Sequence, residues 1–530
     1  MTGDETNRLQ HPVDKTIFLL LAVGAVLRIG QYLAAASLWG DEFNVARNVI
    51  SKDPFTLLTQ PIGDFQVAPS GFVLLLKLVV TLIGSSEYSL RLIPLLSSLL
   101  ALLLFTSLAR RFLPREALLL ALATFSTSIP LIRYAAQVKP YSSDVAASLL
   151  CLLVVRSWME AKTLRTCLRA AATGAIVIWF SYPSVFTLAA AALLVLGRST
   201  SRFSRPSVKH VIVVLAIWLI AATTLSIVEH HRLAPETHSY MQAFWADWML
   251  PTQLTPPRIA TWFVRVAQDF LSDFLRLPKW QTSCVLLLIG TCYLFRRTPD
   301  TMLLLGPLSI TLVASALRYY PFSGRLILFL VPNVLLLLTA GVLAVTSAAA
   351  RLRVPRWGQR AVFLAAALAI GVRPIWMRPP PYRDSETKPI LSYLGEHRRS
   401  GDSIYVHGEA KSALEFYGPR FSLAVNQVTL QHPGVQPLET LKDLDEFRGR
   451  RRLWVVFGPT HNVELRAAKW YLDTIGHRVD CQSSYSAAVY LYDLSDALRL
   501  RSAKAEDFFA EMGEAKDVAI YAPEELYECH

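Results

Sequence analysis

The strongest constraint on the fold of this chain is a series of long apolar runs separated by short segments rich in arginine. A helix needs about 20 residues to cross a hydrocarbon core about 30 Å thick. The runs that approach this length lie at 16-36, 88-109, 116-133, 141-157, 208-228, 281-295, 301-318, 325-347 and 361-377. The hydrophobic content of 53% exceeds the roughly 45–50% that is typical of soluble chains. The sequence therefore predicts an α-helical polytopic membrane protein.

Two further apolar segments are ambiguous by length, and the neighbouring basic residues indicate how each one lies. Residues 68-84 are short for a crossing, and a crossing there would place the arginines at 110-115 outside, against the positive-inside rule. We therefore predict an interfacial helix at 68-84. Residues 170-197 have Tyr182-Pro183 in the middle and basic clusters at both ends, so we predict a hairpin of two short helices there.

The net charge of +13 raises the question of nucleic-acid binding, for which a basic surface is typical. Here the basic residues lie between the apolar runs, and the assignments above place every dense arginine cluster on the cytoplasmic side. The positive charge is therefore explained by the orientation of the chain in the membrane, and nucleic acid is not expected as a partner. The predicted arrangement has a cytoplasmic N-terminus at 1-15, about eleven crossings within 16-377, and external loops at 37-87, 134-140, 229-280 and 319-324.

The residues after 378 have the composition of an ordinary globular domain. The strands predicted from their apolar patterns are DSIYVHG (402-408), RLWVVFG (452-458) and AAVYLYDL (487-494). A helix with an apolar stripe is predicted at 463-476. We therefore predict an α/β domain at 378-530 on the outer side of the membrane. Cys481 and Cys529 lie in its polar sequence, where a disulfide can form if the domain faces an oxidising compartment, and the sequence does not decide whether it does.

Side chains that could do chemistry concentrate in the external segments. WGDEF (39-43) contains the adjacent carboxylates Asp41 and Glu42 just beyond the first apolar run. Two further turns contain basic and phenolic side chains, which are Arg133, Tyr134, Lys139 and Tyr141, followed by Asp144, in the first and Arg318, Tyr319, Tyr320 and Arg325 in the second. Arginines that reach for the interface and tyrosines of the aromatic belt give a similar pattern. Carboxylates and cations on one face of the membrane nevertheless favour a general base beside an anion-binding cluster.

Several segments in this order resemble the GT-C glycosyltransferases that use polyprenyl-phosphate sugars, near the protein O-mannosyltransferases (glycosyltransferase family 39) and the aminoarabinose transferases of lipid A modification. The segments are LWGDEFNVARNVI (38-50), APSGFVLLLKL (68-78) with GSSEYSLRL (84-92), the turn from Tyr134 to Tyr141, and YYPFSGRLILFLVP (319-332). The resemblance covers roughly residues 16-377. Related enzymes often carry a Lys or His before the interfacial helix, whereas GDFQVAPSG (63-71) offers only Asp64 and Gln66.

The resemblance implies a catalytic Asp in the first external loop, a role that falls on Asp41 with Glu42 beside it. Asp41 would remove the proton from the acceptor hydroxyl, and the sugar would invert in a single displacement. A lipid-linked donor also requires cations that face its phosphate as negative charge grows there. The phosphate candidates are, in order, Lys139, Arg325, Arg133 and Arg318, and the candidates that line the substrate are Tyr134, Tyr141, Tyr319, Tyr320 and Asp64.

The function predicted from the sequence is therefore an inverting glycosyltransferase of the bacterial inner membrane. It would transfer a sugar from polyprenyl phosphate to a glycan, lipid or protein acceptor of the envelope on the outer face. The alternative is a transporter or flippase of lipid-linked saccharides, which would need polar residues at mid-span and paired halves of similar hydropathy. The loop 229-280 fits either a lid over the donor or amphipathic helices on the membrane surface. Its histidines are too loosely spaced for a metal site, so no cofactor is assigned and a role for a divalent cation stays open.

Overall fold

The computed structural model describes residues 15–63, 65–199, 208–430, 437–497, 499 and 522–529. Contacts divide the chain into two compact units. The helical unit contains the residues up to Ala34 and Asn48–Pro381, and the α/β unit contains Ala35–Arg47 and the residues from Tyr382 onward. The short segment 35-47, which the sequence analysis keeps with the membrane part, is thus grouped by its contacts with the C-terminal part of the chain.

Helices make up most of the chain up to residue 381. Their bounds are α1 (Lys15–Leu33), α2 (Gly40–Ser51), α3 (Pro54–Thr59), α4 (Ser70–Ile83), α5 (Glu87–Ala109), α6 (Arg115–Thr127), α7 (Ile129–Arg133), α8 (Tyr141–Ala161), α9 (Leu164–Val177), α10 (Ser184–Ser199), α11 (Val208–Arg232), α12 (Pro235–Phe244), α13 (Pro256–Ala267), α14 (Trp280–Phe295), α15 (Thr301–Ala316), α16 (Val331–Arg351), α17 (Arg356–Ala366) and α18 (Arg373–Met377). A 3-10 segment at Gly324–Leu330 leads into α16, and π-helical turns follow α13 and α17. Each apolar run of the sequence lies largely within these helices, which confirms the predicted helical architecture.

Six of the described helical segments are long and apolar enough to cross a membrane, and α6 with α7 makes a seventh if this pair, bent by 51°, is one span. Four apolar helices, α4, α10, α14 and α15, are shorter. The predicted count of about eleven crossings therefore stays a prediction. A helix does form at the place predicted for the interfacial segment, and α9 and α10 are separated around Tyr182-Pro183 as the sequence indicated.

Arg28 lies within the apolar helix α1, and its side chain is completely buried. The guanidinium donates to Ser98 Oγ of α5 at 2.9 Å and to the backbone oxygens of Phe125 and Ser126 in α6 at 3.1 and 3.0 Å. A charge inside an apolar segment is tolerated when it faces the bundle interior and its donors are paired. Arg28 therefore fixes α1 against α5 and α6.

A break between α6 and α7 shapes the turn that carries several candidate site residues. Pro130 stands in the first turn of α7, where its missing N–H does no harm but the chain must leave α6. The segment after α7 leads through Lys139 to Tyr141, the first residue of α8. Ser142 Oγ donates to the backbone oxygen of Tyr134 at 2.8 Å. This hydrogen bond closes the turn and fixes where Lys139 lies.

The N-terminal end of α4 packs against the break between α9 and α10. The N–H of Gly71 donates to the backbone oxygen of Trp179 at 2.8 Å. A Cβ atom on Gly71 would lie only 2.7 Å from that oxygen and 3.2 Å from the ring of Phe180. Glycine therefore permits an approach of two backbones that a side chain would block. The contact places the start of α4 against the segment that contains Tyr182.

The described residues of the α/β unit form a five-stranded sheet. Its elements are α19 (Thr387–His397), β1 (Ser403–Val406), α20 (Gly408–Tyr417), β2 (Thr429–Leu430), α21 (Pro437–Asp445), β3 (Leu453–Phe457), α22 (Asn462–Ile475), β4 (His477–Ser484) and β5 (Ala487–Asp493). The strand order is β2-β1-β3-β5-β4, in which β2, β1 and β3 are parallel and β5 is antiparallel to both neighbours.

The three predicted strands and the predicted helix of this unit are confirmed as β1, β3, β5 and α22. The sequence analysis missed β2, which has only two residues, and β4, whose residues are mostly polar and partly exposed. Neither carries the apolar pattern by which strands are recognised. Cys481 of β4 forms a disulfide with Cys529, and their Cα atoms are 5.7 Å apart.

Candidate functional site

The helical unit contains a cavity of about 390 Å³. Its polar and aromatic lining residues include Lys139, Tyr141, Asp144, Tyr182, Trp245 and Tyr320. They come from the start of α8, from the break between α9 and α10, and from the segments that follow α12 and α15. Small-molecule sites are typically concave, mostly apolar pockets of this kind with a few polar groups on the wall.

Lys139 is 5% exposed and lies on the turn before α8. Its ammonium group donates a hydrogen bond to the side-chain oxygen of Gln66. Burying an ammonium group is costly unless it gains hydrogen bonds and opposite charge. The Gln66 amide supplies one such hydrogen bond, and Lys139 lies on the wall of the cavity, where its ammonium group is a cation that a bound anion could meet. Gln66 is one of the two polar residues that the sequence analysis noted in the segment before the predicted interfacial helix.

Arg325 reaches the same region through aromatic rings. Its guanidinium carbon lies 5.9 Å from the ring centroid of Tyr141 and 6.0 Å from that of Trp245. Both rings line the cavity. Contacts of this length between a guanidinium and a ring face are attractive. The structure therefore brings Lys139 and Arg325, the two leading phosphate candidates, to one part of the helical unit.

The other two arginines predicted to meet phosphate are placed differently. The guanidinium carbon of Arg133 lies 5.8 Å from the ring centroid of Tyr134. Arg318 has a positive φ of 61° and donates from Nη1 to the backbone oxygen of Leu250 at 3.4 Å. Neither Arg133 nor Arg318 is among the described residues that line the cavity, and Arg325 is not among them either, although the rings of Tyr141 and Trp245 that it contacts are.

Three of the four predicted tyrosines line the cavity, and the fourth packs against one of them. Tyr141, Tyr319 and Tyr320 line it. Tyr134 packs edge-on against Tyr141, with ring centroids 5.2 Å apart. Burial raises the pKa of Tyr320 well above its usual value, and the nearby charge of Asp144 raises it further. The hydroxyl of Tyr320 therefore stays protonated, whereas the side chain of Tyr319 is largely exposed.

Asp144, to which the sequence analysis gave no role, also lies on the cavity wall. It is 5% exposed and stands three residues after Tyr141 in the first turn of α8, so the two side chains share a helix face. Its Oδ1 makes no hydrogen bond with any described residue. Buried polar atoms in proteins are usually paired, so this oxygen fits a hydroxyl donor supplied by a ligand. The spacing from Tyr141 is the sequence signal that could have identified Asp144.

A smaller cavity of about 290 Å³ adjoins the first, since Val67, Tyr182 and Leu233 line both. Its lining includes Glu229 and Arg232 at the end of α11. The sequence analysis placed residues 229-280 in an external loop, but the helix continues to Arg232. The ion pair of 2.6 Å between Glu229 and Arg232 has the spacing of neighbours on a helix and supports this last turn.

Tyr182 lies on the wall that the two cavities share. Burial raises the pKa of its hydroxyl well above the usual value. The charge of Glu229 raises the pKa further, while that of Arg232 acts in the opposite direction. Tyr182 therefore presents a protonated hydroxyl between the cavities.

Asp41 and Glu42 stand in the first turn of α2, within the part of the chain grouped with the α/β unit. Negative charge is favoured there by the helix dipole. Glu42 is completely buried, whereas Asp41 is partly exposed. Lys139 and Arg325 belong to the helical unit, so the predicted site residues are distributed over both units. Asp64, another predicted site residue, lies outside the described residues.

The α/β unit holds the segment that carries the acidic pair. Ser37 donates its N–H and its hydroxyl to Glu386 Oε2, at 3.2 and 2.8 Å. The N–H of Leu38 donates to the hydroxyl oxygen of Tyr417 at 2.9 Å. The ring of Phe43 packs edge-on against Tyr417, with centroids 5.8 Å apart. These partners are distant in sequence, so nothing in the acidic motif itself indicates them.

The described residues contain no group of three or more His, Cys, Asp or Glu side chains that could hold a metal ion. No family model and no curated protein sequence matches the chain.

Solved structures do match the chain. ArnT from Cupriavidus metallidurans bound to undecaprenyl phosphate aligns over 93% of this chain and 100% of its own length, at 12% identity and a TM-score of 0.49. The archaeal oligosaccharyltransferase AglB from Archaeoglobus fulgidus, in complex with an inhibitory peptide and a dolichol-phosphate, aligns over 91% of this chain and 74% of its own, at 12% identity and a TM-score of 0.46.

Proposed function

We propose that this chain is a membrane-embedded inverting glycosyltransferase that moves a sugar from a polyprenyl-phosphate carrier to a hydroxyl acceptor. The observation that carries the proposal is the cavity of about 390 Å³ in which the buried Lys139 lies among aromatic rings. A sugar phosphate on an isoprenoid needs a cation for the phosphate, ring faces for the sugar and apolar walls toward the lipid. The cavity combines these features in a unit of apolar helices.

Lys139 and Arg325 hold the donor phosphate in this proposal. As the bond between the sugar and the phosphate breaks, negative charge grows on the phosphate and the anomeric carbon gains positive character. Cations beside the leaving phosphate therefore stabilise the transition state more than the ground state. Tyr141 lines the cavity and contacts Arg325, so it acts as the positioning residue for that guanidinium.

Asp41 is the proposed general base, a role that rests on the resemblance of its motif. The acceptor oxygen attacks the anomeric carbon, its proton passes to the carboxylate, and polyprenyl phosphate leaves with the electron pair of the broken bond. Asp144 is the competing carboxylate, because it lines the cavity and its Oδ1 has no hydrogen bond among the described residues. Glu42 is completely buried beside Asp41 and acts as a neighbour that shapes its environment.

We place the α/β unit on the outer side of a bacterial plasma membrane. The disulfide between Cys481 and Cys529 supports this side, because disulfides persist in oxidising compartments. The arginine clusters between the apolar segments support it independently, because they then face the cytoplasm.

The test is sugar transfer by the purified full chain in lipid nanodiscs. The donor is a radiolabelled polyprenyl-phosphate sugar fraction, and the readout is release of polyprenyl phosphate. Lys139→Gln should weaken donor use about 10- to 100-fold, because a charge-assisted contact contributes about 1.5–3 kcal/mol. Asp41→Asn should lower turnover about 100-fold or more, as expected for loss of a general base.

Asp247→Asn is the matched control, because this carboxylate is 75% exposed and lies on the same side of the predicted topology. Near-normal turnover of both Lys139→Gln and Asp41→Asn would contradict the proposal. Loss of turnover in Asp144→Asn with normal turnover in Asp41→Asn would move the base to Asp144. Movement of the labelled lipid across the bilayer without release of polyprenyl phosphate would identify a flippase instead.

A further inference from the structure

Arg232 is the last residue of α11, and its side chain is only 2% exposed. Its Nη1 donates to Glu229 Oε2 and to Ser70 Oγ, both at 2.6 Å. Ser70 donates its own hydroxyl to Glu229 Oε1 at 2.6 Å. This network ties the end of α11 to the start of α4, and it occupies both carboxylate oxygens of Glu229.

The other edge of the same guanidinium, formed by Nε and Nη2, takes no part in this network. Nε and Nη2 of Arg232 are buried and make no well-formed hydrogen bond with any described residue. The hydroxyl of Tyr182 is a close neighbour of the Arg232–Glu229 pair, since both residues shift its pKa. The N–H bonds of Nε and Nη2 are parallel, which is the geometry with which arginine grips one carboxylate or phosphate through two hydrogen bonds. Buried donors are rarely left unpaired, and charged ones least of all. The unpaired edge therefore indicates a ligand with two acceptor oxygens.

The smaller cavity offers the space for such a ligand. Arg232 lines it together with Gln66, Tyr182 and His230, whose amide, phenol and imidazole groups can all donate hydrogen bonds. Glu229 is the acidic side chain on the wall, and its two oxygens already accept from Arg232 and Ser70. The remaining polar surface is therefore rich in donors, which suits an oxyanion.

We propose that the smaller cavity is a binding site for an oxyanion, a phosphate or carboxylate group, held by Nε and Nη2 of Arg232. This site is separate from Lys139 and Arg325 and goes beyond the proposed transfer reaction, because it assigns a second anionic group to the substrates. That group belongs either to the acceptor or to a further phosphate of the donor. Since the two cavities share a wall, their ligands would lie next to each other.

The test uses inorganic phosphate as the probe and isothermal titration calorimetry of the full chain in nanodiscs. Every variant carries Lys139→Gln, so that binding at the other cations is reduced. Arg232→Gln should weaken phosphate binding about tenfold or more, because two charge-assisted hydrogen bonds are lost. Glu229→Gln should have the opposite effect and tighten binding by about threefold or more, because it removes a negative charge beside the bound anion. A purely structural ion pair predicts no tightening.

Arg232→Gln alone removes the cationic partner of the partly buried Glu229 and can therefore impair folding. The double variant Glu229→Gln/Arg232→Gln avoids this problem, because both charges are removed together and Ser70 keeps an amide partner. It should lose the phosphate site as Arg232→Gln does. Unchanged phosphate affinity in the double variant, or weaker binding in Glu229→Gln, would overturn the proposal.

A second titration, in the chain that retains Lys139, identifies the source of the oxyanion with farnesyl phosphate and farnesyl diphosphate as probes. If Arg232→Gln weakens only the diphosphate, the group is a second phosphate of the donor. If it weakens neither lipid but still lowers inorganic phosphate binding, the group belongs to the acceptor. Equal weakening of both lipids would mean that Arg232 serves the donor phosphate itself and would refute a separate site. None of these measurements requires sugar transfer, so they stand or fall apart from the proposed reaction.

Discussion

Replacing Glu386 with alanine should loosen the segment that carries Asp41. Glu386 is 6% exposed and accepts two hydrogen bonds from Ser37, which is itself 3% exposed. Each hydrogen bond to a charged acceptor contributes about 1.5–3 kcal/mol, and the buried donors of Ser37 would lose that acceptor. The local attachment should therefore weaken by about 3 kcal/mol. A change of this size increases the fraction of time the segment is detached about 100-fold.

Hydrogen exchange of the full chain measures this opening directly. Amide exchange at 37-43 should accelerate by up to about 100-fold in Glu386→Ala. Sugar transfer should fall with it, because a catalytic carboxylate is effective only when it is held in place. Glu386→Gln keeps one acceptor oxygen, so its exchange rate and its sugar transfer should lie between those of the unchanged chain and Glu386→Ala. Glu396→Ala is the matched control, since Glu396 stands on α19 but is exposed. Equal exchange at 37-43 in Glu386→Ala and Glu396→Ala would refute the anchoring role of Glu386.

Two further predictions concern stability. Replacing Cys481 and Cys529 with serine removes a cross-link between residues 48 positions apart, so denaturant unfolding of the α/β unit should show a loss of about 4 kcal/mol. An unchanged unfolding midpoint in the variant without the two cysteines would contradict this prediction. Gly71→Ala places a Cβ atom 2.7 Å from the backbone oxygen of Trp179 and should lower the thermal midpoint of the purified chain, whereas Gly30→Ala, with nothing within 4 Å of its Cβ, should not. Equal thermal midpoints of the two glycine variants would show that the backbone around Gly71 and Trp179 accommodates the added methyl group without loss of stability.

The sequence predicted those parts of the structure that depend on local pattern. The apolar runs became helices because a long apolar stretch has few other ways to satisfy its backbone in lipid. The strands β1, β3 and β5 were recognised because their residues are mostly apolar. In the structure these residues are buried almost throughout. The turn around Lys139 followed from the break between two apolar runs. Each of these features is encoded within a short window of the chain.

The pairings that build the candidate site are not encoded locally. Lys139 contacts Gln66, Arg232 contacts Ser70, and the partner of Leu38 is Tyr417. Each pair joins residues far apart in the chain, and no periodicity or spacing reports such contacts. The sequence analysis also ended the helix that became α11 before Glu229, because charged and imidazole side chains interrupt the apolar run there. The i,i+3 spacing of Glu229 and Arg232 is compatible with one more helical turn, but their contact with Ser70, far away in the sequence, is seen only in the structure.

Asp144 and Arg232 together suggest what the substrates must supply. Both are buried and ionisable, and each lines a cavity while part of its side chain has no hydrogen bond among the described residues. A folded chain does not gain stability from leaving such groups unpaired, so we expect a bound substrate to complete them. Asp144 calls for a hydroxyl donor and Arg232 for an oxyanion. Because Tyr182 forms part of both walls, the two requirements describe neighbouring groups, a hydroxyl in the larger cavity and an oxyanion in the smaller one.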